Sequence, residues 1–166
     1  MVQVNEHLDV ARLEAQISTA SPQDILRIAL RQFNNIAISF SGAEDVVLID
    51  MAYKIKPDVN VFTLDTGRLH KETYKFIDTV RAHYGIAIAV TFPNPDDVSD
   101  LVSEKGFFSF YENGHQECCG IRKVRPLRQK LATLEAWITG QRKDQNPSTR
   151  ADVPVVQLDT AFSTNE

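Results

Sequence analysis

The sequence predicts an α/β fold, a parallel five-stranded sheet with helices on both faces. Two observations carry that reading. Apolar runs of strand length recur at 36–40, 59–64, 86–92, 136–139 and 153–158, and four of them lead into polar or turn-forming residues, as buried parallel strands commonly do. Between them, 44–55, 71–84 and 122–134 read as connecting helices; in the last, Val124, Leu127 and Leu131 share a face at i, i+3 and i+7. Strands that alternate with helices build a mostly parallel sheet covered on both sides. Counting strands from Ile36, right-handed crossovers predict the order 3-2-1-4-5, with the winding reversing between strands 1 and 4. That reversal puts Ser41 and Gly140 on facing sides of one crevice.

Residues 1–34 read as an N-terminal helical segment ahead of an α/β domain over 35–166. Ser21-Pro22-Gln23-Asp24 is a helix start: a serine cap, a proline in the first turn and an acid at the positive end of the helix dipole. Ile25, Ile28, Ala29 and Phe33 continue it as an apolar stripe. The stretch 94–116 is the least regular, and its aromatic cluster of Phe107, Phe108, Phe110 and Tyr111 is expected to pack against the core. Only eight residues follow Leu158, so the domain is expected to be incomplete at its C-terminal side.

Composition narrows the function classes. At 166 residues, 43% hydrophobic and 24% charged, the chain suits one ordinary globular α/β domain. A net charge of −4 argues against general nucleic-acid binding, which shows as a basic surplus. No run approaches the roughly 18 apolar residues of a membrane span, and the first residues lack a signal peptide's basic and apolar regions. A cytoplasmic protein is expected. The two cysteines, Cys118 and Cys119, are adjacent. Their Cα atoms, about 3.8 Å apart across a trans peptide, fall below the usual disulfide range of about 4.4–6.8 Å.

Four segments carry candidate chemistry. Ser39-Phe40-Ser41-Gly42-Ala43-Glu44-Asp45 leaves a strand and opens a helix. Its glycine is expected to permit a tight turn, with helix-start N–H groups and two hydroxyls facing an anion; a plain capped turn has the same pattern. Thr63-Leu64-Asp65-Thr66-Gly67-Arg68 leaves the next strand on the same rim, where open α/β sheets bind ligands. Cys118-Cys119-Gly120-Ile121-Arg122-Lys123-Val124-Arg125 sets thiols beside a cluster of cations that Arg128 extends. These thiols are either buried and inert or metal ligands, and the cations either a site or a solvated face. The fourth, Trp137-Ile138-Thr139-Gly140-Gln141-Arg142, leads to Arg150; both arginines can fork onto a phosphate or sulfate.

In order and content these four blocks resemble the assimilatory adenylyl-sulfate (APS) reductases of the wider phosphoadenylyl-sulfate (PAPS) reductase family, from about Asn35 to Leu158. The resemblance implies an adenine-nucleotide alpha-hydrolase-like fold and the reduction of adenosine 5′-phosphosulfate to sulfite and AMP in sulfate assimilation. A cysteine attacks sulfur to give an S-sulfocysteine, and thioredoxin then releases sulfite. Matched position by position, Ser39, Ser41, Gly42, Leu64, Thr66 and Gly140 correspond to the nucleotide pocket. Lys123 and Arg150 correspond to cations near the phosphosulfate, so the anionic end is expected toward Ser39, Ser41, Lys123 and Arg150. Cys118 and Cys119 correspond to half the ligands of a [4Fe–4S] cluster, and the pair favours adenylyl sulfate over its 3′-phosphorylated analogue.

The family's later Cys-x-x-Cys and its C-terminal nucleophilic cysteine have no counterpart among these 166 residues. A [4Fe–4S] cluster takes four thiolates, so the chain alone is expected to hold no intact cluster and to be inactive. The expected partners are adenosine 5′-phosphosulfate and thioredoxin, with a second copy of the chain as a further candidate, and neither nucleic acid nor membrane. Three alternatives stay open: a PAPS reductase, an ATP pyrophosphatase of the same fold, and a non-catalytic nucleotide-binding fragment. Against the second, Ala43 and Val46 replace a glycine and a serine of the usual Ser-Gly-Gly-x-Asp-Ser loop.

Overall fold

Six strands hydrogen-bond into one sheet in the computed structural model, which describes residues 2–4, 10–141 and 153–162. The chain runs β1 (Val2–Val4), α1 (Val10–Ile17), α2 (Pro22–Gln32), β2 (Ile36–Ser39), α3 (Val46–Ile55), β3 (Asn60–Leu64), α4 (Lys71–Tyr84), β4 (Ile88–Thr91) and α5 (Pro95–Lys105). It continues through α6 (Ser109–Glu112), α7 (His115–Cys119), a π-helical turn (Gly120–Val124), α8 (Arg125–Leu131), β5 (Ala136–Ile138) and β6 (Val156–Leu158). Each predicted strand and connecting helix has its counterpart. Among the described residues no helix is long and apolar enough to cross a membrane.

The sheet order is β4-β3-β2-β5-β1-β6. Its first four members are parallel and follow the expected 3-2-1-4. Ile38 pairs with Val61 on one side and Ile138 on the other, so the winding reverses between β2 and β5. The far edge differs from expectation. β1 lies between β5 and β6, antiparallel to the first and parallel to the second, and β6 therefore runs opposite to the parallel four. Val2, in the stretch read as helical, is 1% exposed and belongs to the main core. Three residues are too few to show a period of two, which is why this strand escapes a pattern reading.

Side chains alternate across the sheet, as the pleat requires. Ile36, Ile38, Val61, Ala136 and Ile138 face one core with Leu26, Ala29, Ile49 and Ala52, whereas Ala37, Phe62 and Trp137 face a second with Leu131 and Leu134. Both faces of the central strands are thus dry. Trp137 spends its indole N–H on Asp159 Oδ2 at 2.9 Å, and Asp159 is itself buried; this bond ties β5 to the segment after β6. At the opposite rim Glu135 Oε2 accepts from the Asn34 and Asn35 N–H groups at 2.8 and 3.0 Å, fixing where β2 begins.

Two further readings need correction. The irregular stretch 94–116 contains α5, whose start is well made: Asn94 Oδ1 accepts from the Asp96 and Asp97 N–H groups at 2.8 and 3.4 Å, and Pro95 opens the first turn. Of the aromatic cluster only Phe110 packs inward, against Leu101, Cys118 and Ile121; Phe107, Phe108 and Tyr111 are exposed. The helix expected over 122–134 begins as a π turn, where the Arg125 N–H reaches back to the Gly120 carbonyl. Pro126 follows at once, and its missing N–H removes one α-type bond at that place.

Candidate nucleotide site

The rim at the C-terminal ends of β2, β3 and β5 gathers most of the candidate residues. Ser39 closes β2, and Ser41 and Gly42 stand exposed in the turn that follows. Their N–H groups do not face outward as expected. Asp45 folds back over the turn, and its Oδ2 accepts from the Ser41 N–H at 2.7 Å, the Ser41 hydroxyl at 2.9 Å and the Gly42 N–H at 3.0 Å. The anion in this nest is the protein's own. Nor does Gly42 need to be glycine for a tight turn: its φ of −158° is extended backbone, and no atom lies within 4 Å of where a Cβ would be.

Gly140 is different. A Cβ there would lie 1.9 Å from Asp45 Oδ1 and 3.1 Å from its Cγ, so the buried carboxylate is seated against a backbone that only glycine leaves open. The neighbouring placement of β2 and β5 brings the two walls together. Ser39, Ser41, Asp45, Trp137, Thr139, Gly140 and Gln141 line a small cavity of about 170 Å³. Around the turn's other side, Phe40, Ser41, Gly42, Thr63 and Phe76 line another of about 280 Å³. The expected juxtaposition of Ser41 and Gly140 is therefore present.

The loop after β3 is held from two sides. Asp65 Oδ1 accepts from the Gly67 N–H at 2.7 Å and from the Tyr74 phenol at 2.9 Å. That second bond, then burial and the Asp65 charge, hold Tyr74 above its ordinary value of 10.0. Thr66 is buried, and its carbonyl accepts from Arg122 Nη1 at 2.8 Å. Gly67 takes a left-handed φ of 71°, which glycine adopts without strain, and a Cβ there would meet Arg122 Nη1 at 3.2 Å. Leu64, half-buried at the end of β3, presents its backbone at the same rim.

Arg122 thus points inward from the π turn under this loop, 9% exposed, and its Nε is buried with no hydrogen-bond partner among the described residues. The remaining cations divide. Arg125 pairs with Asp97 at 2.7 Å, while Lys123 and Arg128 are exposed. Arg150 and Arg142 lie outside the described residues. Cys118 is buried and Cys119 half-buried, both as free thiols on α7, one turn ahead of Arg122. Among the described residues no group of three or more metal-ligating side chains forms. Two adjacent thiols are the ligand type an iron–sulfur cluster takes and number half of the four thiolates it needs.

A strand-order reversal with a polar cavity between its two loops is the architecture of α/β nucleotide-binding proteins. The comparisons give a family within that class. The chain belongs to the family described as Phosphoadenosine phosphosulfate reductase domain, which it matches over residues 35–165. It is 57% identical over 164 residues to a Pseudomonas aeruginosa protein named adenosine 5′-phosphosulfate reductase, covering 98% of this chain and 61% of the relative. It is 56% identical to the Arabidopsis thaliana protein named 5′-adenylylsulfate reductase 3, chloroplastic, over 96% of this chain and 36% of that one. The chain thus spans about three-fifths of the bacterial relative's length. A crystal structure of phosphoadenylyl-sulfate (PAPS) reductase from Candida auris in a phosphate complex superposes with a TM-score of 0.71 at 23% identity, over 87% of this chain and 76% of that one; the two share a fold.

Two residues of the site were not singled out by the sequence reading. Asp45 and Arg122 both stand inside the quoted motifs, but a motif does not say which way a side chain turns. A signal existed for Asp45: an acid three or four residues after a loop serine commonly accepts that loop's N–H groups.

Proposed function

We propose that the protein of which this chain is part reduces adenosine 5′-phosphosulfate to sulfite and AMP, with thioredoxin as reductant, in sulfate assimilation. The observation that carries this reading is the cavity shared by Ser39, Ser41 and Gly140, with Arg122 of the cysteine block bonded to Thr66 in the loop after β3. The printed names of the bacterial and plant relatives support it. The nucleotide occupies the crevice between the loops after β2, β3 and β5, touching Ser39, Ser41, Gly42, Leu64, Thr66 and Gly140. Its phosphosulfate points toward Lys123 and Arg150, whose cationic donors stabilise it by charge-assisted bonds.

Cys118 and Cys119 would hold a [4Fe–4S] cluster as two of its four thiolates, and the cluster would supply an electrostatic influence on the bound phosphosulfate. The buried Arg122 beside them holds the Thr66 loop against that corner. A cysteine other than these two attacks sulfur, AMP leaves, and thioredoxin cleaves the resulting S-sulfocysteine. The Cys-Cys pair favours adenylyl sulfate over the 3′-phosphorylated nucleotide. The protein works in the cytoplasm, singly or as a homo-oligomer.

The 166-residue chain supplies the nucleotide pocket and, alone, binds without turnover. Incubated with adenylyl sulfate and reduced thioredoxin, it is expected to retain the nucleotide on a gel-filtration column and release no sulfite. Sulfite formation would show that Cys118 or Cys119 is the nucleophile; loss of all nucleotide on the column would remove the pocket itself. Anaerobic reconstitution is expected to leave fewer than four irons per chain.

A further inference from the structure

Asp45 is a buried carboxylate at the centre of the crevice, and its bonds decide what the crevice can recognise. An ionised carboxylate is acceptor-only, with about four lone-pair positions. Oδ2 takes three donors, among them the Ser41 hydroxyl proton. Three things follow. The Ser41 and Gly42 N–H groups are no longer available to an incoming phosphate. The Ser41 Oγ, its proton committed, offers lone pairs to a ligand. Asp45, its Oδ1 seated against Gly140, lines the small cavity between the two loops. A phosphate brought there would meet a second negative charge in a partly dry site, where like charges repel most strongly.

We propose that Asp45 is a positioning residue that makes the Ser41 side of the crevice a hydrogen-bond acceptor, so that it takes donor groups of the nucleoside and not the nucleotide's phosphate. This rests on the reading of the crevice as a nucleotide site. It also amends one expectation: the anionic end lies toward Lys123 and away from Ser41, and the molecule's polarity along the crevice follows from Asp45. The donor chemistry has two sources in an adenine nucleotide, the sugar hydroxyls and the 6-amino group of the base.

The test is calorimetry on the 166-residue chain with AMP, 2′,3′-dideoxy-AMP and IMP, in the unaltered protein and in Asp45→Asn. The amide keeps the side-chain shape and an oxygen for the turn, but removes the charge and turns a donor toward Gly140. In the unaltered chain AMP is expected to bind about fivefold or more tightly than one of the two analogues, a factor of the size one good hydrogen bond gives. The weaker analogue identifies the source: dideoxy-AMP the sugar, IMP the base. In Asp45→Asn that ratio is expected to fall to about twofold or less, which a loss of stability alone would not produce. AMP binding with neither analogue weakened, or a ratio unchanged in Asp45→Asn, overturns the proposal while leaving the nucleotide site standing. No AMP binding to the unaltered chain overturns both. Should Asp45→Asn fail to fold by circular dichroism, Ser41→Ala decides, since it removes one acceptor and leaves both backbone bonds of Asp45 in place; an unchanged ratio there overturns the proposal as well.

Discussion

The two halves of the crevice are built on opposite plans. On the β2 side, Asp45 answers the turn's donors with three hydrogen bonds and fills the space above Gly140. On the cysteine side, Arg122 in the π turn gives one bond to the Thr66 carbonyl and keeps a buried Nε with no partner among the described residues, near two free thiols. Buried polar groups normally find partners, and one without a partner is explained by strain, a catalytic or redox role, or a bound water or ion. In the first half the Ser41 and Gly42 donors are met by the chain itself, and what it keeps for a ligand is acceptor capacity. The second has polar capacity to spare.

Substitutions break this contrast in a graded way. The largest effect is expected at Gly140→Ala, which drives a methyl into a buried carboxylate and costs about 3 kcal/mol, the upper end for overpacking. Chemical denaturation checks it, and the double variant checks the cause: added to Asp45→Ala, the same change should cost about 1 kcal/mol or less, since contacting residues are not additive. Two costs that simply add would break the link between the walls. Asp45→Ala alone follows at about 2 kcal/mol, because it strands donors that water can reach only in part. Arg122→Met comes next at about 1 kcal/mol, as one bond to Thr66 is lost and one unsatisfied donor disappears with it. If Arg122→Met proves the more costly of the two, the contrast between the halves is wrong.

A smaller effect separates the thiols. Cys119, the more accessible, should alkylate about tenfold faster than Cys118, as peptide mapping after brief iodoacetamide treatment would reveal. Equal rates would mean that α7 opens as a unit. The smallest effect is on alkaline stability. Tyr74 is raised above 10.0, first by its bond to Asp65, so the folded state favours the neutral phenol. Its contribution is full below about pH 10 and is lost as pH rises through the folded-state value. Tyr84, raised chiefly by burial, titrates in the same window. Tyr74→Phe should therefore flatten, without abolishing, the fall in melting temperature above that pH.

Much of this was legible in the sequence. The 71–84 helix runs from Lys71 to Tyr84 as read, with Gly85 closing it at a φ of 64°. The 3-2-1-4 core of the sheet followed from strand and helix alternation with right-handed crossovers and a winding reversal, and Ser21 caps α2, its Oγ accepting from the Asp24 N–H at 3.2 Å. What escaped was of two kinds. β1 is three residues long and pairs with strands far away in sequence, so nothing local announces it. Asp45 and Arg122 were visible as letters, but their roles depend on a side chain folding back four residues and on a guanidinium turning under a distant loop. Spacing shows which residues share a face; it does not show which donor an acid will choose.

In the proposed pose an adenine nucleotide lies in this crevice with its anionic end toward Lys123 and Arg150. Calorimetric titration of AMP into the unaltered chain, Lys123→Ala and Arg150→Ala tests it directly. Bonds to a charged group are worth about 1.5–3 kcal/mol, so each variant should bind AMP about tenfold more weakly or worse, while adenosine, lacking the phosphate, should bind all three alike. AMP affinity unchanged in both variants, or no AMP binding to the unaltered chain, would contradict the account.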